Sequence, residues 1–306
     1  MIGVTVRVPA KLNLQLAVGP PRGDGYHDLV TVFHAVSLFD EVTVVPADTD
    51  GIAVTGEGAD LVPADGENLA LRAVAALRAA MTGAAADRAG VHVTIAKRIP
   101  VAAGLAGGSA DAAAALVACN ELWRAGFSQD QLVEVAARVG SDVAFALFGG
   151  TAVGRGRGER LTPALAPATP YHWVLAFADG HLSTPEVYAT LDRLRAAKAA
   201  EPDLNAALMS ALRSGDARLL GRALSNDLQQ AAVALFPALR KTITAGIELG
   251  ALGALVAGSG PTCVFLAASA SRALDLAVSL SGAGVCRSVA RVTGPVPGAV
   301  IVAAPK

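Results

Sequence analysis

Charge is scarce in this sequence. Only 17% of its 306 residues are charged, and 25 basic against 26 acidic residues leave a formal net charge of −1. Nucleic-acid footprints and polybasic membrane patches need a surplus of Lys and Arg, so neither partner is expected. Cysteine is scarcer still: Cys119, Cys263 and Cys286 are odd in number, scattered and off metal-ligand spacing. They read as reduced core residues of a cytoplasmic protein, not as a disulfide framework. Hydrophobic residues reach 53%, yet Gly, Arg, Asp or Lys breaks the runs short of membrane-spanning length. The start, MIGVTVRVPAK, lacks a basic region followed by an apolar core, so no export signal is read there. HExxH, GxSxG and paired-Cys motifs are missing, and none of the five histidines sits at metal spacing from another ligand. Hydrolase and metalloenzyme readings therefore lack residues, and no protein metal site is expected.

What the chain does have is small residues in telling places. Pro100 to Ala115, PVAAGLAGGSADAAAA, follows the alternating Val91, Val93 and Ile95 of a strand and runs into an alanine-rich helix. The first turn of a helix leaves N–H groups unpaired and carries partial positive charge, which suits phosphate. Gly104, Gly107 and Gly108 let several N–H groups converge on one point, and Ser109 adds a hydroxyl. The loop is neither a Walker A nor a GxGxxG sequence. A flexible turn capping a buried helix is the alternative.

Along the chain, Val4–Val8 and Leu12–Leu16 alternate as two strands around Pro9-Ala10, with Lys11 and Asn13 pointing the same way from the second. The loop PPRGDGYHDL presents Tyr26 and His27 together, either as a stacking surface or as a packing plug. Residues 31–45 and 52–55 read as strands, and 68–81 as a helix stopped at Gly83. The helix after the glycine loop starts near Ala110, and Ser128 with Gln131 forms a capping box for the next. Ser141 reads as an N-cap that sets Asp142 in a first helical turn, where a carboxylate is favoured by the dipole whether or not it does chemistry. After the hairpin-like GRGRGER the composition shifts, so the expected boundary lies near Gly158, with units 1–158 and 159–306. In the second unit a helix begins at Ser183-Thr184-Pro185-Glu186 and carries Tyr188. Helices then alternate with strands near residues 173–178, 254–256, 264–267, 285–292 and 300–302, an α+β arrangement. Gly258 to Thr262, GSGPT, is a second glycine loop, a tight turn or a ligand contact. A phosphate cradle, a strand Lys, an Asp at a helix start and a second small-residue loop are the part types that phosphoryl transfer uses.

The order PAKLNL, PVAAGLAGGSADAA and GSGPTCVF resembles the three motifs of the GHMP small-molecule kinase superfamily over nearly the whole chain. DGYH, GSDVAF and LSTPEVY resemble the branch whose acceptor is a cytidine diphosphate ester of methylerythritol, phosphorylated on its 2-hydroxyl in non-mevalonate isoprenoid synthesis. The resemblance implies a ribosomal-protein-S5-like N-terminal domain, a ferredoxin-like C-terminal domain and a site in the cleft between them. It implies Asp142 as general base on the tertiary hydroxyl and Lys11 as its electrostatic partner beside the transferred phosphoryl group. Pro100, Val101, Ala102, Ala103, Gly104, Leu105, Ala106, Gly107, Gly108, Ser109 and Ala110 would hold the ATP phosphates, with Asn68 and Lys97 near the adenosine. Tyr26 and Tyr188 would sandwich the cytosine, His27 would read its edge, and Asn13 and Thr184 would line the acceptor end. Mg²⁺ is implied, held mainly by ATP because Asp111 is the only acidic residue of the loop. Ala103 and Ala106 stand where many members have glycine. A mevalonate or homoserine kinase of the same superfamily, and a non-catalytic nucleotide- or RNA-binding module, are the competing readings.

Overall fold

A computed structural model describes residues 3–81, 90–165, 169–195 and 200–304; the expected helix stop at Gly83 lies outside them. The first sheet is organised on β1 (Val4–Pro21), whose even-numbered side chains from Val4 to Leu14 enter the main core. Lys11, Asn13 and Gln15 alternate to the other face, yet they too are buried. This is one strand where two were expected. Pro9 offers no N–H to the ladder, and the register with β2 (His27–Pro46) shifts between Pro9 and Ala10, so a bulge absorbs the proline without ending the strand. Next come β3 (Gly51–Gly56), α1 (Leu69–Ala80), β4 (Val91–Lys97), α2 (Gly107–Leu122), α3 (Gln129–Val139), α4 (Ser141–Phe148), β5 (Thr151–Gly156) and β6 (Arg160–Pro163).

Helix α2 is the centrepiece of this unit. Ala110 and Ala112 to Ala115 are all but fully buried, and such short side chains let the helix sit close against α1, β1 and β2. It begins at Gly107, a turn earlier than the alanine run suggested, because Ala106 takes the left-handed conformation that starts it. The capping box of α3 forms as expected. For α4 the N-cap is Gly140 and Ser141 is already helical, which still leaves Asp142 in the first turn.

The second sheet follows with β7 (Tyr171–Phe177), α5 (Thr184–Arg195), α6 (Ala206–Ser214), α7 (Ala217–Ala223), β8 (Ser225–Asn226), α8 (Gln229–Leu235), α9 (Ala238–Glu248), β9 (Gly253–Val256), β10 (Cys263–Ala267), α10 (Ala270–Gly282) and β11 (Ser288–Gly294). Its order, β11-β7-β10-β9, is antiparallel throughout, the ferredoxin-like arrangement. One face packs a core with Val187, Leu191, Leu239 and Leu276, while Trp173, Leu175, Val264 and Leu266 turn the other way and join the core of the first sheet. The two units thus share apolar packing. The chain also returns to the first sheet: β8 pairs in parallel with β1, and β12 (Val300–Ala303) is added along β1's edge. The compositional shift at Gly158 marks a turn and not the end of that sheet, because the β5–β6 hairpin spans it and carries the first sheet to Pro163. No described helix is long and apolar enough to cross a membrane.

Candidate active site

The alternation of β1 sends Lys11 and Asn13 into a cleft of about 600 Å³ lined by β1, β2, α4, α5 and both glycine loops. Lys11 Nζ donates to Asn13 Oδ1 at 2.7 Å, Asn13 Nδ2 donates to Thr31 Oγ1 at 2.8 Å, and Thr31 donates to the Gln15 carbonyl at 2.7 Å. That chain of bonds fixes the ammonium on the strand. The first turn of α4 brings Asp142 Oδ2 to 3.8 Å from it. Lys11 is nearly sealed while a third of the Asp142 side chain is exposed, so the carboxylate keeps an open side for a hydroxyl.

The first glycine loop is tied to this pair, since the Lys11 amide donates to the Leu105 carbonyl. Gly104, at φ +79°, lies against the second glycine loop; a Cβ there would run into the Ala257 carbonyl. Ala102 and Ala106 also have positive φ, 53° and 59°, a conformation that strains any residue with a side chain. The first intrahelical amide bond at this end is Ala110 N to Ala106 O, which leaves the Gly107, Gly108 and Ser109 amides at the open end of α2. Leu105 and Ala110 are buried in the core and do not line the cleft; the other loop residues from Pro100 to Ser109 do.

Asn68 and Lys97 line the same cleft, but both are engaged. Asn68 caps α1 through the Ala70 amide and donates to the Pro63 carbonyl. Lys97 Nζ is buried between Asp40 and Asp111, at 2.5 and 2.7 Å. Asp40 also accepts from the Arg98 and Ile99 amides, whereas Asp111 Oδ1 has no partner among the described residues. Burial, reinforced by Asp40, raises the Asp111 carboxyl to about 8 although the Lys97 ammonium pulls it down.

The second loop is a wall of the cleft as well as a turn: Gly258, Ser259 and Gly260 face it, and Ser259 Oγ bonds Thr184 Oγ1 at 2.8 Å. Tyr188 lines the cleft one turn along α5, where burial, with Asp142 adding to it, pushes its phenol above the ordinary range. Tyr26 and His27 are not lining residues. They adjoin the cleft through two that are: Arg157 lies 4.7 Å over the Tyr26 ring, and the His27 ring stands 5.1 Å from Tyr188.

Sequence reading missed three contributors. Arg157 lay in a run taken only as a turn. Asn226 donates to the Val256 and Gly258 carbonyls at 2.7 Å each and so sets the second loop; its place beside β1 comes from a two-residue parallel bridge with no sequence signal. Asp192 bonds His27, and the four-residue spacing of Thr184, Tyr188 and Asp192 on one helix was the available clue.

A glycine loop opening a helix, set with a strand Lys and a helix-start Asp in a cleft that a second α+β unit completes, defines a small-molecule kinase of the GHMP type. The chain matches the family described as "GHMP kinases N terminal domain" over residues 68–150 and "GHMP kinases C terminal" over residues 208–286. It is 57% identical to the 4-diphosphocytidyl-2-C-methyl-D-erythritol kinase of Thermobifida fusca, covering 98% of each chain. A solved structure of 4-(cytidine 5'-diphospho)-2C-methyl-D-erythritol kinase superposes with a TM-score of 0.76 at 35% identity, over 94% of this chain and 98% of the other. A homoserine kinase from Cytophaga hutchinsonii reaches the same TM-score at 20% identity over 99% and 98%, which shows the shared fold alone. The chain belongs to the 4-diphosphocytidyl-2-C-methyl-D-erythritol kinase family, and it is an enzyme.

Proposed function

We propose that this chain transfers the terminal phosphoryl group of ATP to the 2-hydroxyl of 4-diphosphocytidyl-2-C-methyl-D-erythritol, a step of non-mevalonate isoprenoid precursor synthesis. The observation that carries the mechanism is the Lys11–Asp142 pair, held at 3.8 Å on the same cleft as the glycine loop. Asp142 takes the proton of the attacking hydroxyl, the step that makes a tertiary alcohol a competent nucleophile. Lys11 lies beside it and offsets the negative charge that gathers on the phosphoryl oxygens. The Gly107, Gly108 and Ser109 amides bind the polyphosphate, and the α2 dipole adds to their attraction. Leu61, Val62, Pro63 and Leu69 supply an apolar wall for the adenine beside Asn68.

Cleft-lining carboxylates are Glu67, Asp111 and Asp142, and Asp111 is taken up by Lys97. Among the described residues no three acidic, His or Cys side chains gather as a metal cage. That donor set suits Mg²⁺ held by the ATP phosphates and water, where it neutralises phosphate charge. The cytosine stacks between Tyr26 and Tyr188 with His27 at its edge, and Asn13 and Thr184 face the acceptor alcohol. Substitution Asp142→Asn tests the assignment. It is expected to lower kcat by about 10²- to 10⁴-fold while leaving ATP affinity within about threefold; unchanged turnover removes Asp142 from the base role.

A further inference from the structure

Thr184, Tyr188 and Asp192 follow one another at four-residue intervals on α5 and share one face of it, while Val187 and Leu191 turn into the core of the second sheet. The first reaches the second glycine loop, the second lines the cleft, and the third ends on His27. Both Asp192 oxygens approach the same ring nitrogen, Nε2, at 3.0 and 3.2 Å. A carboxylate only accepts hydrogen bonds, so Nε2 carries the proton. The ring has little freedom to turn: the His27 side chain is 6% exposed and its ring lies 5.1 Å from that of Tyr188. Its other nitrogen, Nδ1, has no partner among the described residues, and it is not among the atoms sealed from solvent, in contrast to His34 Nε2.

We propose that Asp192 is a positioning residue that holds His27 as the Nε2–H tautomer and so leaves Nδ1 as a hydrogen-bond acceptor, which selects a nucleobase edge presenting an amine over one presenting a carbonyl. The proposal rests on the reading of His27 as the nucleobase contact. Cytosine offers its exocyclic amine to Nδ1, a donor meeting an acceptor. Uracil sets a carbonyl oxygen at the same place, lone pair against lone pair, and leaves a desolvated acceptor unpaired. Without Asp192 the neutral imidazole is free to move its proton to Nδ1 and greet the carbonyl instead, so the discrimination against uracil relaxes.

Two readouts test this, one of which needs no substrate. With ¹⁵N-labelled imidazoles, the free wild-type enzyme is expected to show a protonated Nε2 and an unprotonated Nδ1 for His27, Asp192→Glu to keep that pattern, and Asp192→Asn and Asp192→Ala to show a tautomer mixture. In turnover with the cytidine and uridine diphosphate esters of methylerythritol, Asp192→Asn raises KM for the cytidine compound about tenfold with kcat within about twofold. It also lowers the cytidine-over-uridine preference in kcat/KM by about tenfold, the worth of one hydrogen bond to a charged or polar partner. A protonated Nδ1 in the wild type, an unaltered tautomer in both Asp192→Asn and Asp192→Ala, or an unaltered nucleobase preference overturns the proposal. A wild type that turns over neither ester overturns the functional reading, and nucleobase selection with it, while the imidazole spectra still decide whether Asp192 sets the tautomer. Loss of folding in Asp192→Ala would show as lost spectral dispersion throughout, and Asp192→Asn, equal in size, then carries the decision.

Discussion

His34 gives the protein a built-in sensitivity to acid. It sits on β2 with 0% exposure, packed edge-on to Trp173 at 5.7 Å, with Nδ1 bonded to Thr151 Oγ1 at 2.9 Å and Nε2 without a hydrogen bond among the described residues. Burial pushes the imidazole from its ordinary 6.5 down to about 3, because a second proton would place a charge in the apolar space between the two sheets. The folded pKa is the lower one, so the unfolded chain binds the proton first, and stability falls as pH drops below 6.5 until it levels near 3. The full span is worth about 5 kcal/mol, and the part between pH 7 and pH 5 about 2 kcal/mol. Urea unfolding of the wild type and of His34→Gln at both pH values isolates this contribution, since the surface carboxylates titrate alike in the two. His34→Gln is less stable at pH 7 because it loses the imidazole packing, but its loss on going to pH 5 should be smaller than the wild type's by about 2 kcal/mol. Equal losses in the two proteins would refute the reasoning.

The meeting of the two glycine loops predicts that Gly104→Ala lowers unfolding free energy by about 2 kcal/mol or more and raises KM for ATP, since its Cβ drives Ala257 away from the cradle. Ala106→Gly, which relieves a left-handed alanine, should raise stability by about 0.5 kcal/mol; a loss would mean the strain is absent. Lys97→Ala leaves the Asp40 carboxylate buried without its cation, beside an Asp111 held mostly protonated, and should cost about 3–5 kcal/mol in urea unfolding at pH 7. If Lys97→Ala unfolds like the wild type and only KM for ATP rises, Lys97 serves the nucleotide and not the fold.

The elements that sequence made legible were those with local causes. The alternation of β1, the capping box of α3 and the glycine loop between strand and helix are written in neighbouring residues; that Lys11 and Asp142 meet beside the loop came from the motif resemblance. The motif resemblance added the roles proposed for Tyr26, His27, Thr184 and Tyr188. What stayed hidden depends on contacts distant in sequence. The Lys97 triad joins residues from three elements, so the lysine expected near the adenosine is also held by Asp40 and Asp111. The return of β8 to the first sheet rests on a two-residue bridge, too short to leave a periodic trace, and β12, legible as a strand, finds its partner at the other end of the chain. Proline misled locally: at Pro9 a bulge keeps the strand whole, where composition alone suggests a break.

The most direct measurement is ADP release by the purified enzyme with magnesium ATP and, in turn, 4-diphosphocytidyl-2-C-methyl-D-erythritol, mevalonate and homoserine as acceptor. The account predicts turnover with the cytidine compound alone, because Tyr26, Tyr188 and the His27 imidazole lie at or beside this cleft, as the proposed nucleobase pocket requires. Turnover with mevalonate or homoserine and none with the cytidine compound would contradict it.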